Sequence, residues 1–378
     1  MLPMLMNSSR KGAGRPSVLL DMRPLQGPSA QRGVGAYARG LLRGLVDAGF
    51  DDQLTLLLDV AFDAPALPVG RYRLAGCRRR SHGQLAAYED AVALNADIAR
   101  LLPDVYHAID FRLPGRSPKP LVVTLHDLIP WAWGGPRMRP EMRGERLRYR
   151  LFRRLLPRAD AVLAVSEATA ADAVRMRVAS PPRLRVVPEA ANPDMGPRHG
   201  APARVKAKWG IDGRYLLFVG ALDARKDPHA LLRAWTAARL AHPDLRLLIA
   251  GVPGRQAPPS MAGAVQLGRV VDDELADLYT AAACLVFPSR YEGFGLPCLE
   301  AMACGCPVVA YRNSSIPEVV ADAGILVADG DAEALGEAVG DVLREPERWR
   351  RAGLERARKF SWDRTARETI KAYEDVLR

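Results

Sequence analysis

The chain has 378 residues, 48% hydrophobic and 26% charged, with 32 Gly and 30 Pro, which excludes a disordered, collagen-like or coiled-coil polymer. That length exceeds what one hydrophobic core serves, so two domains of roughly 150–200 residues are expected. The formal net charge of +11 lies in the first half, with 29 Lys and Arg against 18 Asp and Glu in residues 1–190 and 25 against 25 in 191–378; that half is expected to meet something anionic.

Residues 1–16 are Ser, Gly, Lys and Arg around little apolar content and read as a flexible tail. Met1 to Met6 is too short, and lacks a preceding basic segment, for a secretory signal. No apolar run approaches the roughly 18–20 residues that span a bilayer, so a cytoplasmic address is expected. Cys77, Cys284, Cys298, Cys304 and Cys306 form an odd set without a Cys-x-x-Cys pair, read as reduced and buried rather than as a disulfide framework or zinc site.

Ser17–Asp21 predicts a strand, followed by a Gly/Pro-rich loop and a helix from Tyr37 to Leu45 with leucines at helical spacing. Apolar runs at 54–58, 104–107, 121–125, 161–165 and 184–187 alternate with amphipathic stretches, the pattern of a parallel sheet covered by helices on both faces. From Arg137 to Arg158 nine arginines interleave with Leu147, Leu151, Leu155 and Leu156, just after Trp131 and Trp133. This basic amphipathic helix either docks on an anionic membrane or packs its leucines on the first sheet. Three prolines in 188–197 break the rhythm, so the domains are placed at 17–190 and 191–360. Runs at 215–220, 245–250, 264–267, 284–287, 307–310 and 325–327 predict a second doubly wound sheet, and 361–378 a final amphipathic helix.

Two segments of the second half carry chemistry. In Phe287 to Ala303 a strand ends, Gly293-Phe294-Gly295 turns, and Leu296-Pro297 opens a helix whose free amides seat negative charge. Glu292 then lies in the loop and Glu300 inside the helix. Upstream, Arg225 and Lys226 stand just past the 215–220 strand, where ligands of doubly wound sheets gather, and a diphosphate is their natural partner.

Over nearly its whole length the chain resembles the retaining glycosyltransferases of family 4, which have the GT-B fold: two Rossmann-like α/β domains facing a cleft, with a C-terminal helix crossing back to the first. Glu292 and Glu300, separated by seven residues, match the family's paired glutamates, and Arg225-Lys226 its cation pair. The resemblance implies that Glu300 binds ribose hydroxyls, that Arg225 and Lys226 bind the diphosphate, and that Glu292 with the backbone of Gly293, Phe294, Gly295 and Leu296 holds the donor sugar. Arg269 and Val270 fall in the loop that meets the nucleobase. In the first domain Gly33-Val34-Gly35 is similar to the glycine loop facing the diphosphate, and His126 to a strand-end histidine beside the transferred sugar; Asp127 is either a helix cap or an acceptor contact. Pro188-Glu189-Ala190-Ala191 departs from the family's frequent Asn-Gly.

The implied activity is retaining, metal-independent hexosyl transfer from a nucleotide sugar, with GDP-mannose favoured, to a glycan or lipid-linked acceptor in polysaccharide or glycoconjugate synthesis. The nucleotide sugar is a co-substrate; no cofactor, metal or nucleic-acid partner is expected. The alternative is an NAD(P)-dependent oxidoreductase or epimerase, since Gly33-x-Gly35-x-x-Ala38 and Asp59 also fit a dinucleotide pattern. Against it, about ten residues separate Asp21 from Gly33 where the glycines should follow the strand at once.

Overall fold

A computed structural model describes residues 14–27, 30, 33–79, 84–133, 146–252 and 263–378. The first sheet is parallel, with β1 (Val18–Asp21), β2 (Leu54–Asp59), β3 (Arg73–Cys77), β4 (Val105–Ala108), β5 (Leu121–Leu125), β6 (Ala161–Ala164) and β7 (Leu184–Val186) in the order β3-β2-β1-β4-β5-β6-β7. The second, also parallel, contains β8 (Tyr215–Val219), β9 (Arg246–Ala250), β10 (Ala264–Gly268), β11 (Cys284–Phe287), β12 (Val308–Tyr311) and β13 (Ile325–Val327) in the order β10-β9-β8-β11-β12-β13. Central strands such as β1, β5 and β11 are buried along their whole length, because helices cover both faces.

All six strands expected in the second sheet are present, and six of the seven in the first. The unforeseen strand is β3, at the sheet edge, where Ala75 and Cys77 alone turn inward. The glycine segment also differs from expectation. Gly33 begins the helix Gly33–Asp47 rather than lying in a loop before it. All five cysteines are buried and unpaired.

In each sheet the order reverses at one point, between β1 and β4 and between β8 and β11. Loops leaving the carboxyl ends of strands on either side of such a point splay apart and leave a crevice. The two crevices face each other. The final helix, Trp362–Asp375, returns to the first domain and packs on the helix Gly33–Asp47. Trp362 packs directly on Gly40, where an added Cβ would stand 2.0 Å from the indole. Its Nε1 donates to the Ala191 carbonyl at 2.9 Å, Thr365 Oγ1 donates to that of Pro188 at 2.7 Å, and Tyr373 meets His107 Nδ1 at 2.7 Å.

Candidate active site

The turn after β8 carries two cations side by side because Asp223 caps it, accepting from the amides of Arg225 and Lys226 at 3.0 and 3.2 Å. The loop after β11 brings Glu292 onto them: its Oε1 accepts from Arg225 Nη1 and Lys226 Nζ, both at 2.6 Å, and from the Ser289 hydroxyl. Lys226 is buried and also rests on the Phe287 ring, 4.2 Å from its centroid. Burial alone would raise the Glu292 carboxyl, but the charges of Arg225 and Lys226 hold it at about 2. Glu292 is therefore ionised at neutral pH, while burial pulls the Lys226 ammonium below its usual value against the charge of Glu292; the two basic side chains share one carboxylate, for which anionic oxygens can compete.

Gly295, at φ +104°, reverses the chain and lets Leu296–Ala303 start as a helix with Pro297 in its first turn. Glu300 lies inside that helix, with the Tyr279 hydroxyl 3.3 Å from Oε2 and no cation beside it among the described residues. Burial, helped by the charge of Asp272, pushes its carboxyl up to about 8. A carboxylate so placed has spare acceptor capacity and no counter-charge, which suits a vicinal diol that donates two hydroxyls. Arg269, exposed, and Val270, half-buried, follow the carboxyl end of β10 on the same side of the sheet.

The first domain meets this half directly. Gly33 approaches Leu296, with 3.8 Å from an added Cβ to Leu296 Cδ1, and Gly35 packs on the backbone of Ala30. Gly293 lies against the His126 carbonyl, and its own carbonyl accepts from Ser166 Oγ at 2.6 Å and Thr169 Oγ1 at 3.1 Å. Glu318 of the second domain accepts from the amides of Glu167 and Ala168, both at 2.7 Å, at the start of the helix Glu167–Arg175. Tyr291 hydrogen-bonds Asp172 across the same gap. These contacts hold the two halves of the site together.

His126, at the end of β5, is 9% exposed. Its Nδ1 stands 3.1 Å from Glu189 Oε1 and its Nε2 3.1 Å from the Ile109 carbonyl, with the Tyr37 ring edge-on. Asp127 caps the turn that follows, accepting from the Ile129 amide at 2.9 Å. Of the expected residues, Arg225, Lys226, Glu292 and Glu300 gather around the second switch point, with the Gly293–Leu296 backbone between them and the first domain. Sequence reasoning missed Ser289, Ser166, Thr169 and Glu318, and met Glu189 only as a departure. The triplet Asp329-Gly330-Asp331 has Asp-x-Asp spacing, yet Asp331 caps the helix Ala332–Arg344 and Asp329 accepts from Asn313. No group of three metal-ligating side chains occurs among the described residues.

The stretch Arg137 to Arg158 falls partly outside the described residues, which resume at Arg146. In the helix Arg146–Leu155, Tyr149, Phe152 and Leu155 turn inward, and Phe111, Trp131, Tyr149 and Phe152 stack edge to face. Arg150, Arg153 and Arg154 point outward without an ion-pair partner among the described residues. The described apolar face therefore packs on the protein. No helix among the described residues is long and apolar enough to cross a membrane.

Two family models match the chain in succession: Glycosyltransferase Family 4 over residues 31–195 and Glycosyl transferases group 1 over residues 203–360. The chain is 29% identical to the O-antigen chain mannosyltransferase B of Escherichia coli, covering 94% of this chain and 99% of that one. It is 34% identical to the D-inositol 3-phosphate glycosyltransferase of Segniliparus rotundus over 59% of its own length, spanning about half (54%) of that relative. The solved sucrose-phosphate synthase of Thermosynechococcus elongatus superposes with a TM-score of 0.75 at 23% identity, over 96% of this chain and 99% of that one.

Proposed function

The chain belongs to the GT-B glycosyltransferases of family 4 and group 1 and acts on a nucleotide-sugar donor, and on that premise we propose that it transfers a hexose, mannose in the favoured case, with retention and without a metal. The acceptor is a glycan or lipid-linked glycan of polysaccharide synthesis. The observation that carries this reading is the buried cluster of Arg225, Lys226 and Glu292 at the switch point, with Glu300 uncompensated one helix turn and a loop away. Mannose and the acceptor class follow the full-length likeness to the Escherichia coli mannosyltransferase.

In the proposed reaction the diphosphate enters against Arg225 and Lys226 while Glu300 takes the ribose hydroxyls. The bond from the anomeric carbon to the β-phosphate oxygen breaks. The acceptor hydroxyl attacks the same face, and its proton passes to an oxygen of the departing diphosphate. Negative charge grows on that group, where the two cations are already fixed and shielded from water, so they stabilise the transition state more than the ground state. Lys226 has no room to reorganise, being buried between Glu292 and the Phe287 ring.

For location, the outward Arg150, Arg153 and Arg154 support contact with an anionic lipid surface through charge rather than through an inserted apolar face. The oxidoreductase alternative is not favoured: Asp59 is bound to its own loop, accepting from the Ala61 amide at 3.0 Å, and the second-domain cluster would have no use.

Thermal-shift measurements against a panel of nucleotide sugars test the reading, because a ligand bound only by the folded state stabilises it by an amount that rises with the logarithm of its affinity at a fixed concentration. GDP-mannose is expected to raise Tm most, and NMR of the product to show the donor's anomeric configuration kept. Stabilisation by NAD(P) and by no nucleotide sugar would discard it.

A further inference from the structure

Two histidines are buried in the first domain, and their surroundings differ in kind. His107 meets only hydroxyls: Nδ1 lies 2.7 Å from Tyr373 Oη and Nε2 2.9 Å from Thr124 Oγ1. A hydroxyl can donate or accept, so a neutral imidazole satisfies both. His126 meets only oxygens that accept, the Glu189 carboxylate and the Ile109 carbonyl, each at 3.1 Å. A neutral ring has one N–H and cannot donate to both. Both contacts are met only if the ring carries two protons, or if Glu189 carries one.

Glu189 is 3% exposed and comes from the segment that joins the two sheets, close enough to Glu300 for their charges to interact. We infer that Glu189 is a positioning residue of the transfer reaction: it fixes His126 as a doubly protonated imidazolium on the cleft wall, behind the backbone of Gly293, as a standing positive charge rather than as a proton carrier. This rests on the glycosyltransferase reading above. In that role the ring cannot serve as a general base, because neither nitrogen has a free lone pair. Its charge adds to that of Arg225 and Lys226 from the opposite domain, so the departing diphosphate meets positive charge on both walls of the closed cleft.

The balance of forces agrees. Burial alone would lower the His126 value, but the hydrogen bond and charge of Glu189, then Asp110 and the Ile109 carbonyl, raise it. His107, buried without an anion against it, drops to about 3, lowered further by the charge of His126. The groups facing His126 are Glu189 from the joining segment, Asp110 from the loop after β4, Tyr37 from the helix Gly33–Asp47, His107 on β4 and Asp127 beside it. None besides Glu189 touches a ring nitrogen.

The test is nitrogen NMR of the histidine rings in the full chain, with His107 as the internal neutral reference and no donor required. At pH 7.5 His126 should show both nitrogens protonated while His107 shows one. Glu189→Gln, which keeps shape but not charge, should drop His126 below its ordinary 6.5 and leave it neutral at pH 7.5, because burial then acts with little to oppose it, as it does at His107. With the donor found by thermal shift, Glu189→Gln should lower kcat about tenfold at pH 8, recover toward wild type only as the pH falls through the lowered His126 value, and leave KM for the donor nearly unchanged; Glu189→Asp should restore part of kcat. A neutral His126 in the wild type at pH 7.5, or a Glu189→Gln pH profile that superposes on wild type, overturns the inference. Should Glu189→Gln fail to fold, the wild-type spectrum still decides. Failure of every nucleotide sugar to be turned over would instead sink the glycosyltransferase reading and leave the ring spectrum standing by itself.

Discussion

Gly293 in the second domain presses on the carbonyl oxygen of His126 in the first: a Cβ at Gly293 would lie 2.0 Å from that oxygen and 2.9 Å from Asp127 Cβ. Only a residue without a side chain permits this closure, and it brings the Arg225–Lys226–Glu292 cluster to the first-domain wall. Gly293→Ala should therefore force the cleft open while keeping the backbone groups of residues 293–296 that face the donor sugar. The donor Kd should change little, while kcat falls about 100-fold, the usual effect of displacing reacting groups by about 1 Å. Small-angle scattering should show a larger radius of gyration; a closed variant with wild-type kcat would contradict the assignment.

Arg225 and Lys226 are expected to act mainly on the transition state, because charge accumulates on the diphosphate as the sugar leaves. Arg225→Ala and Lys226→Ala should each lower kcat by about 10²–10³, the range found when one preorganised charge stabiliser is removed. The donor KM should rise far less, and activity should persist in EDTA. Activity abolished by chelation and restored only by Mg²⁺ or Mn²⁺ would refute the metal-free scheme.

Glu300 gives opposite signs for stability and binding. Its folded value of about 8 lies above the ordinary 4.5, so between those values the folded chain holds a proton that the unfolded chain has released. Its contribution to stability is full below pH 4.5 and is lost as pH rises to 8. Glu300→Gln has no charge to bury and should raise Tm of the free protein by a margin that grows from pH 5 to pH 8.5. Ribose hydroxyls donate to the ionised form, so donor binding at pH 7 should release a proton, read by calorimetry as a heat that depends on the buffer. The same variant should lose roughly 30- to 1000-fold in kcat/KM, about 2–4 kcal/mol for a buried charged acceptor. Buffer-independent heats together with a Tm gain flat in pH would argue against the assignment.

What could be read from the sequence was what the chain encodes locally. Arg225-Lys226 and Glu292 to Glu300 each sit within one strand–loop–helix unit, so spacing alone put Glu292 in a loop and Glu300 in a helix, as found. Strands buried on both faces were legible as apolar runs; β3 was not, because at a sheet edge Arg73, Leu74 and Gly76 face solvent and leave no run. Contacts that join distant segments carried no local signal. Ser166 and Thr169 reach Gly293 across more than 120 residues, Glu318 meets the amide of Glu167 across 151, and Glu189 meets His126 across 63. The substitution of Glu for the more usual Asn was visible, and its meaning depended on what lay opposite.

Exposed arginines on the first domain give the last prediction. In the helix Arg146–Leu155 the inward side is filled by Tyr149, Phe152 and Leu155, so the described apolar surface is already used by the protein. Attraction to an anionic lipid surface then rests on Arg150, Arg153 and Arg154, at about 1 kcal/mol for each basic residue near the surface, decaying within a Debye length. Three such residues give about 3 kcal/mol, roughly a hundredfold in partition. Co-sedimentation with phosphatidylglycerol-containing vesicles at low salt should therefore exceed that with neutral vesicles by that order and vanish near 0.5 M salt. Replacing all three by Ser should abolish it while leaving Tm and donor affinity intact, because none of the three packs in the core. An inserted apolar helix would instead hold its vesicles at high salt, and equal recovery in the supernatant with both vesicle types would show that the excess positive charge of the first half serves an acidic or phosphorylated acceptor.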